Sequence, residues 1–372
     1  MEVKIKKLKE YMDALKENAS VLFENIFLPE NLMIKNMSYN SKKIIPDSIF
    51  ICKGLNFNNK YILDAYERGA ALIIFGEHRK ESILEYMKKE NISISYIVVP
   101  KIKIALGIIA KIFYGDLSRK IKIIGITGTK GKTTAAYIIK NIFEKAGEKI
   151  AMLSSIYTFD GNKTKEAFLT TPDIFELYDF ILESINNGCK YLVMEVSSQG
   201  LKLGRVNGMS FEIGVLLNID VDHISEIEHP TISDYQKSKL LLVSQSKNFL
   251  FNLDMENADR ILDDVKNIRN VLPEKMRGIK LFSIKKNADY IIENLTKEKI
   301  SFKFYFENEK FSLPMPGKFN VLNALAGISV AKMFDIKNEY IQKGLEDIKV
   351  PGRMEIYKKG SKTIIIDYAH NK

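Results

Sequence analysis

The stretch Ile124-Gly125-Ile126-Thr127-Gly128-Thr129-Lys130-Gly131-Lys132-Thr133-Thr134 decides how the rest of the chain is read. An apolar strand ends in glycines and passes into Lys-Thr at the opening of a helix. Gly128 and Gly131 let the backbone curl so that its N–H groups face an anion, and the helix N-terminus adds partial positive charge. Lys132 can reach the terminal phosphates of a nucleotide, and the Thr133 hydroxyl can ligate magnesium. The strict form of this phosphate loop has glycine five residues before Gly131, where this chain has Ile126. The spacing fits a tighter form, Thr-Gly-Thr-x-Gly-Lys-Thr.

Around the loop the pattern is that of a doubly wound α/β domain. Residues 121–126 read as the strand before the loop and 133–146 as the helix after it, stopping near Gly147. Further strands are expected at 150–153, 191–194, 213–217, 248–252 and 280–283. Residues 299–307 and 310–314 read as a hairpin, a small β appendage, and 320–334 as a helix. Upstream, strands at 48–52, 71–75 and 96–99 alternate with helices at 61–68, 82–89 and 101–114, which is again an α/β layer pattern. Residues 1–30 read as a helical start whose apolar face carries Leu8, Met12, Leu15, Ala19 and Leu22. The polar stretch Gly115-Asp116-Leu117-Ser118-Arg119-Lys120 and the stretch Val350-Pro351-Gly352-Arg353 are the expected boundaries, giving domains 1–117, 118–351 and 352–372. After the second boundary, residues 362–367 begin a new strand.

Length and composition set limits. At roughly 150 residues per domain, 372 residues make two domains and part of a third. A hydrophobic share of 46% and a charged share of 27% belong to a globular protein. No apolar run approaches the roughly 18–20 residues of a membrane span, and Met1-Glu2-Val3-Lys4-Ile5-Lys6-Lys7 has no apolar segment of a secretory signal. The expected location is the cytoplasm, with no membrane partner. The net charge of +10 comes from 56 basic residues of which eight are arginine, spread along the chain. Arginine carries most bidentate recognition of phosphate and guanine, so an attraction for small anionic substrates is expected rather than nucleic-acid binding. Cys52 and Cys189 sit in apolar, strand-like runs and read as buried free thiols.

Further motifs surround the loop. Glu195 ends an apolar strand and precedes Val196-Ser197-Ser198-Gln199-Gly200-Leu201. A carboxylate at that place, beside a phosphate loop, suits a hard cation such as magnesium. A second strand leads to Asn218-Ile219-Asp220-Val221-Asp222-His223, and twelve residues later Tyr235 and Lys239 stand four apart on one helical face. Thr170-Thr171-Pro172-Asp173, by itself, is a turn and helix cap. Pro316-Gly317-Lys318-Phe319-Asn320-Val321-Leu322-Asn323 and Pro351-Gly352-Arg353-Met354-Glu355 complete the set, with Asp367-Tyr368-Ala369-His370 near the end.

Together these motifs resemble the Mur ligases, and within that family the tripeptide synthetases, which add the third amino acid of the peptidoglycan stem to UDP-MurNAc-L-Ala-D-Glu. The resemblance implies ATP and Mg2+ as cofactors. ATP would lie on Gly128, Thr129, Lys130, Gly131, Lys132, Thr133 and Thr134, with Asn320, Asn323, Arg353 and Asp367 also on the nucleotide. Thr133, Glu195, His223 and a carbamylated Lys239 would hold magnesium, and Lys132, Glu195, His223 and Lys239 would carry the catalysis. Thr170, Thr171, Ser197 and Arg205 would contact the muramoyl-peptide. Ser41 and the Leu55, Asn56, Phe57 segment are the uridine candidates, in the part that matches least: Asn40-Ser41-Lys42 stands where the family has Asp-Ser-Arg, and the Asp-Gly-His before the aromatic is absent. Gln199 stands where many members have histidine.

The implied partners are the UDP-MurNAc-dipeptide and a free amino acid, and the implied state is a monomer. About 20 residues after Pro351 cannot form a core, so most of a C-terminal amino-acid-binding domain is expected to be missing or supplied by a separate chain. A catalytically weak nucleotide-binding remnant, a folylpolyglutamate synthetase-like ligase, and a P-loop kinase or GTPase are the rival readings.

Overall fold

The computed structural model describes residues 5–54, 56–220, 225, 228–276, 278–359 and 362–368. The chain divides into two compact units. One comprises Met1–Leu117, Asp173–Asp179 and Leu203–Met209; the other comprises Ser118–Pro172, Phe180–Lys202 and Ser210–Lys372.

In the first unit a five-stranded sheet runs in the order Phe23–Asn25, Ser95–Val99, Ala70–Gly76, Ser48–Cys52, Asn36–Ser38. The edge strand Phe23–Asn25 is antiparallel and the other pairings are parallel. The two strands flanking the central Ala70–Gly76, Ser48–Cys52 and Ser95–Val99, are buried throughout, as expected of strands covered by helices on both faces. Helices Lys60–Glu67 and Lys80–Lys89 put Ile62, Ala65, Ile83 and Met87 into the core on one side. The first helix differs from the sequence reading. It spans Leu8–Asn18 and buries Leu8, Tyr11, Met12 and Leu15, but Leu22 lies outside it and is exposed. Ser20 takes a left-handed φ of 52°, which ends helical continuation and turns the chain into the edge strand.

The second unit is built on a nine-stranded sheet in the order Thr164–Glu166, Tyr157–Phe159, Ile150–Leu153, Tyr191–Glu195, Lys122–Thr127, Phe211–Leu216, Ser246–Asn252, Ile279–Ser283, Tyr290–Ile291. From Ile150–Leu153 onward the strands are parallel, and the first two form an antiparallel hairpin at the edge. The chain enters at Lys122–Thr127 in the middle, moves two places to one side, and later crosses to the other. That reversal puts the strand order's switch point at Lys122–Thr127, where α/β sheets bind ligands. Helix Lys132–Lys145 contributes Ala135, Ile138, Ile139, Ile142 and Phe143 to the core, each fully buried. At about 1.5–3 kcal/mol for each large side chain, this helix is a principal anchor of the core. Two later helices, Lys318–Met333 and Asn338–Glu346, press against it through Gly327 and Gly344.

The β appendage has three strands, Glu293–Glu298, Ser301–Phe306 and Glu309–Leu313, one more than the hairpin expected. Cys189 lies in the turn before Tyr191–Glu195 rather than in a strand; both cysteines are buried and free. Glu355–Lys359 and Lys362–Ile366 form an antiparallel hairpin, so a strand precedes the one expected. Among the described residues no helix is long and apolar enough to cross a membrane.

Candidate active site

The phosphate loop is fixed by four neighbours within the second unit. Asn218, just past strand Phe211–Leu216, accepts from the Thr129 N–H through its carbonyl at 3.1 Å and from the Lys130 N–H through Oδ1 at 2.9 Å. Its amide returns a bond to the Lys130 carbonyl at 3.1 Å. Thr129 Oγ1 receives the Tyr235 hydroxyl at 3.1 Å and the Asp220 N–H at 2.9 Å. The fourth neighbour is Asn323, packed against Gly131. A Cβ at Gly131 would collide with the Asn323 amide, and the left-handed φ of 88° independently favours glycine. Gly131 is also the cap from which helix Lys132–Lys145 starts.

Two ammonium groups converge on the loop. Lys132 Nζ donates to the carbonyls of Gly128 at 2.8 Å and Thr129 at 3.1 Å, and Lys239 Nζ donates to the same Gly128 oxygen at 2.9 Å. Lys239 is 1% exposed and its ammonium sits 4.3 Å from the centre of the Tyr235 ring. Beneath the loop the Thr127 hydroxyl is buried without a hydrogen-bond partner among the described residues. Such an orphan costs free energy unless something else pairs with it. Thr133 and Thr134 are buried at the start of the helix.

Glu195 ends the neighbouring strand and is fully buried. Its two oxygens take the Ser155 N–H at 2.7 Å and the Ser155 hydroxyl at 3.0 Å. Ser155 Oγ lies 3.2 Å from Thr170 Oγ1, so one serine joins the carboxylate to the Thr-Thr-Pro-Asp turn. Thr171 Oγ1 donates to the Glu195 carbonyl at 3.1 Å and accepts from the Ser197 N–H at 3.0 Å. Close by, burial pushes the Tyr137 hydroxyl up to about 12. Among the described residues no three His, Cys, Asp or Glu side chains gather as a metal cage. One carboxylate beside hydroxyls and a phosphate loop is instead the donor set for magnesium held largely by substrate phosphates and water. The orphaned Thr127 hydroxyl and the Gly131 cradle therefore fit a magnesium–nucleotide complex.

Other expected residues are placed as follows. His223 and Leu55 lie outside the described residues. Asn320 donates to the Pro316 carbonyl at 2.8 Å, and Asn323 donates to Asn320 Oδ1 at 3.1 Å. Arg353 and Asp367 close the base of the last hairpin: Arg353 donates to the Tyr368 carbonyl at 3.2 Å and Asp367 accepts from the Met354 N–H at 3.2 Å. In the first unit Asp173 binds Lys53 at 3.2 Å and Arg205 at 3.3 Å. Lys53 also sits over the Tyr39 ring at 4.4 Å. Ser41 is buried and hydrogen-bonds Asp64, Asn56 is exposed, and the Phe57 ring packs against Phe50, Tyr61 and Arg79. Sequence reading missed Ser155, Asn218, Lys53 and Tyr39. Asn218 alone carried a signal, as a polar residue ending a strand beside the loop strand.

Comparison with known proteins shows the family and the fold. Residues 126–331 match the Mur ligase middle domain. The chain is 35% identical over 353 residues to the UDP-N-acetylmuramoyl-L-alanyl-D-glutamate–2,6-diaminopimelate ligase of Clostridium perfringens, covering 92% of this chain and 69% of the relative. It is 37% identical over 349 residues to a UDP-N-acetylmuramyl-tripeptide synthetase of Lactococcus lactis subsp. cremoris, covering 92% and 67%. The L-lysine ligase of Streptococcus pneumoniae is 35% identical over 343 residues, with 91% and 66% covered. In fold, the chain superposes on a solved diaminopimelate ligase with a TM-score of 0.76 at 23% identity, covering 99% of this chain and 72% of the other. A MurF ligase of Thermotoga maritima in complex with ADP superposes with a TM-score of 0.57 at 19% identity, over 90% and 70%. Phosphate loop, buried carboxylate and hydroxyl-lined turn thus sit on a shared fold, and the chain belongs to the Mur ligase family.

Proposed function

We propose that the chain is an ATP-dependent amide-bond ligase of peptidoglycan precursor synthesis that adds the third amino acid to UDP-MurNAc-L-Ala-D-Glu. The observation that carries this reading is the pairing of Glu195 with the Thr170-Thr171 turn through Ser155, beside a loop on which Lys132 and Lys239 converge. The dipeptide's carboxylate attacks the γ-phosphorus of ATP, giving an acyl phosphate and ADP. The amine of the incoming amino acid then attacks the acyl carbon, phosphate leaves, and the amine loses a proton.

Each residue has a distinct task. The loop N–H groups bind phosphate oxygens, and Lys132 moves from the loop carbonyls to the transferring phosphoryl group, where charge develops. Thr133 and Glu195 would hold magnesium, with His223 and a carbamylated Lys239. The metal, when bound, neutralises phosphate charge and fixes the in-line geometry. Carbamylation joins the neutral Lys239 amine to CO2 with loss of a proton; the remaining N–H can still donate to Gly128, and the ammonium charge is replaced by a carboxylate. Thr170, Thr171, Ser197 and Arg205 would orient the muramoyl-dipeptide. Relatives acting on diaminopimelate and on lysine are both 35% identical to the chain, so overall similarity does not select the amino acid.

The test is ADP release with UDP-MurNAc-L-Ala-D-Glu and either amino acid. Release that requires the dipeptide supports the reading. Lys132→Ala is expected to abolish turnover while circular dichroism stays that of the parent; continued ligation in this variant refutes the assignment.

A further inference from the structure

His229 is fully buried and both of its ring nitrogens are engaged. Nδ1 lies 2.7 Å from Asp234 Oδ2 and Nε2 lies 3.0 Å from Ser198 Oγ. The spacing is that of a nucleophile–base–acid triad, yet the serine is only 7% exposed, so a substrate could not reach its hydroxyl. With Nδ1–H donating to the carboxylate, Nε2 accepts the serine hydroxyl and the line is satisfied from end to end.

The two ends belong to different parts of the site. Ser198 stands three residues after Glu195 and follows Ser197, whose N–H is held by Thr171 of the Thr-Thr-Pro-Asp turn. Asp234 lies in the first turn of helix Ile232–Gln245, whose Thr231 cap accepts from the Asp234 N–H at 3.1 Å. Lys202 braces the same carboxylate at 2.7 Å and also donates to the Glu228 carbonyl at 2.8 Å. The imidazole meets the Tyr235 ring edge-on, with centres 5.1 Å apart, and the Tyr235 hydroxyl donates to Thr129 in the phosphate loop. One turn further along that helix, Lys239 donates to Gly128.

We infer that His229 is a positioning residue for the ligation: it ties the acceptor-side hydroxyls to the helix that sets the phosphate loop. The inference rests on the ligase reading, because a reaction that joins two substrates requires these two regions to hold a fixed distance. A loss of one buried bond on this line should loosen the loop even though the described hydrogen bonds of the His229 ring run to Asp234 and Ser198 and not to the loop itself.

Two variants cut the same bond from opposite sides. His229→Asn retains a donor for Asp234 but cannot reach Ser198, and Ser198→Ala removes the hydroxyl alone. Hydrogen exchange of the ligand-free chain, read by mass spectrometry, is expected to quicken in residues 127–134 and 231–239 in both variants. Strands Ser301–Phe306 and Glu309–Leu313 should stay unchanged. The double variant should be no faster than either single one, since the bond is already gone. ADP affinity should fall about fivefold in each, the usual worth of one such hydrogen bond.

Exchange changes confined to the neighbours of 198 and 229, additive effects in the double variant, or a lowered melting temperature with unchanged ADP affinity each overturn the inference. Should His229→Asn fail to fold, Ser198→Ala carries the test, because it deletes a single oxygen. Failure of the ligase reading registers separately, as a parent chain that releases no ADP with dipeptide and amino acid, while the exchange result is read without substrate.

Discussion

At the scale of single residues, Gly131 illustrates how a loop motif becomes a geometric demand. Its positive φ and its contact with Asn323 act together, so Gly131→Ala should suffer both strain and collision. The expected result is loss of ADP binding by at least about tenfold, with the far-UV spectrum retained, measured by calorimetric titration. Asp179 offers a test by pH. Burial holds its carboxyl above the ordinary range, with the Tyr114 hydroxyl at 2.7 Å pulling the other way. A raised carboxyl stabilises the fold below its unfolded value of about 3.9, and that contribution is lost as pH rises through the folded value. Asp179→Asn keeps an acceptor for Tyr114 and removes the carboxylate charge, which is only partly desolvated because the residue is exposed. Its stability in urea should therefore exceed the parent's at pH 7 and converge with it toward pH 4. The phosphate loop was legible in the sequence because its residues are contiguous. Ser155 with Glu195, and Ser198 with His229, were not, because forty and thirty-one positions separate the partners and no periodicity records the pairing.

At the scale of elements, periodicity placed most strands and helices of both sheets within a residue or two, since apolar runs must be buried between helices. It failed where a local backbone choice overrode the pattern, as at Ser20, and where strands were short and polar. Tyr157–Phe159 and Thr164–Glu166 form such a hairpin, the second strand fully exposed. Packing between helices was also invisible in advance. A Cβ on Gly344 would come within 2.7 Å of the Ile142 backbone, which cannot turn aside as a side chain could. Gly344→Ala should thus cost about 1–3 kcal/mol in equilibrium denaturation, despite alanine's better helix propensity. A Cβ on Gly327 would meet the γ-methyl branch of Ile138 at 2.5 Å, a group fixed to Cβ in a stiff β-branched side chain, so Gly327→Ala should cost a similar amount.

At the scale of the whole molecule, the net charge of +10 acts without any specific site. The chain should adsorb weakly to duplex DNA of any sequence at 20 mM salt and release it by about 150 mM, as counterions screen scattered lysines. Fluorescence anisotropy with two unrelated duplexes checks this; binding that persists at the higher salt or prefers one sequence contradicts it.

The assignment of Asp173–Asp179 and Leu203–Met209 to the first unit has a consequence in time. During synthesis the first 117 residues leave the ribosome without two pieces of their own unit, and the last piece is complete only at residue 209. At roughly 5–20 residues per second, that interval lasts on the order of ten seconds. The nascent chain must spend it with part of its first unit still unmade, a window in which a chaperone or a slowed codon run would have its largest effect.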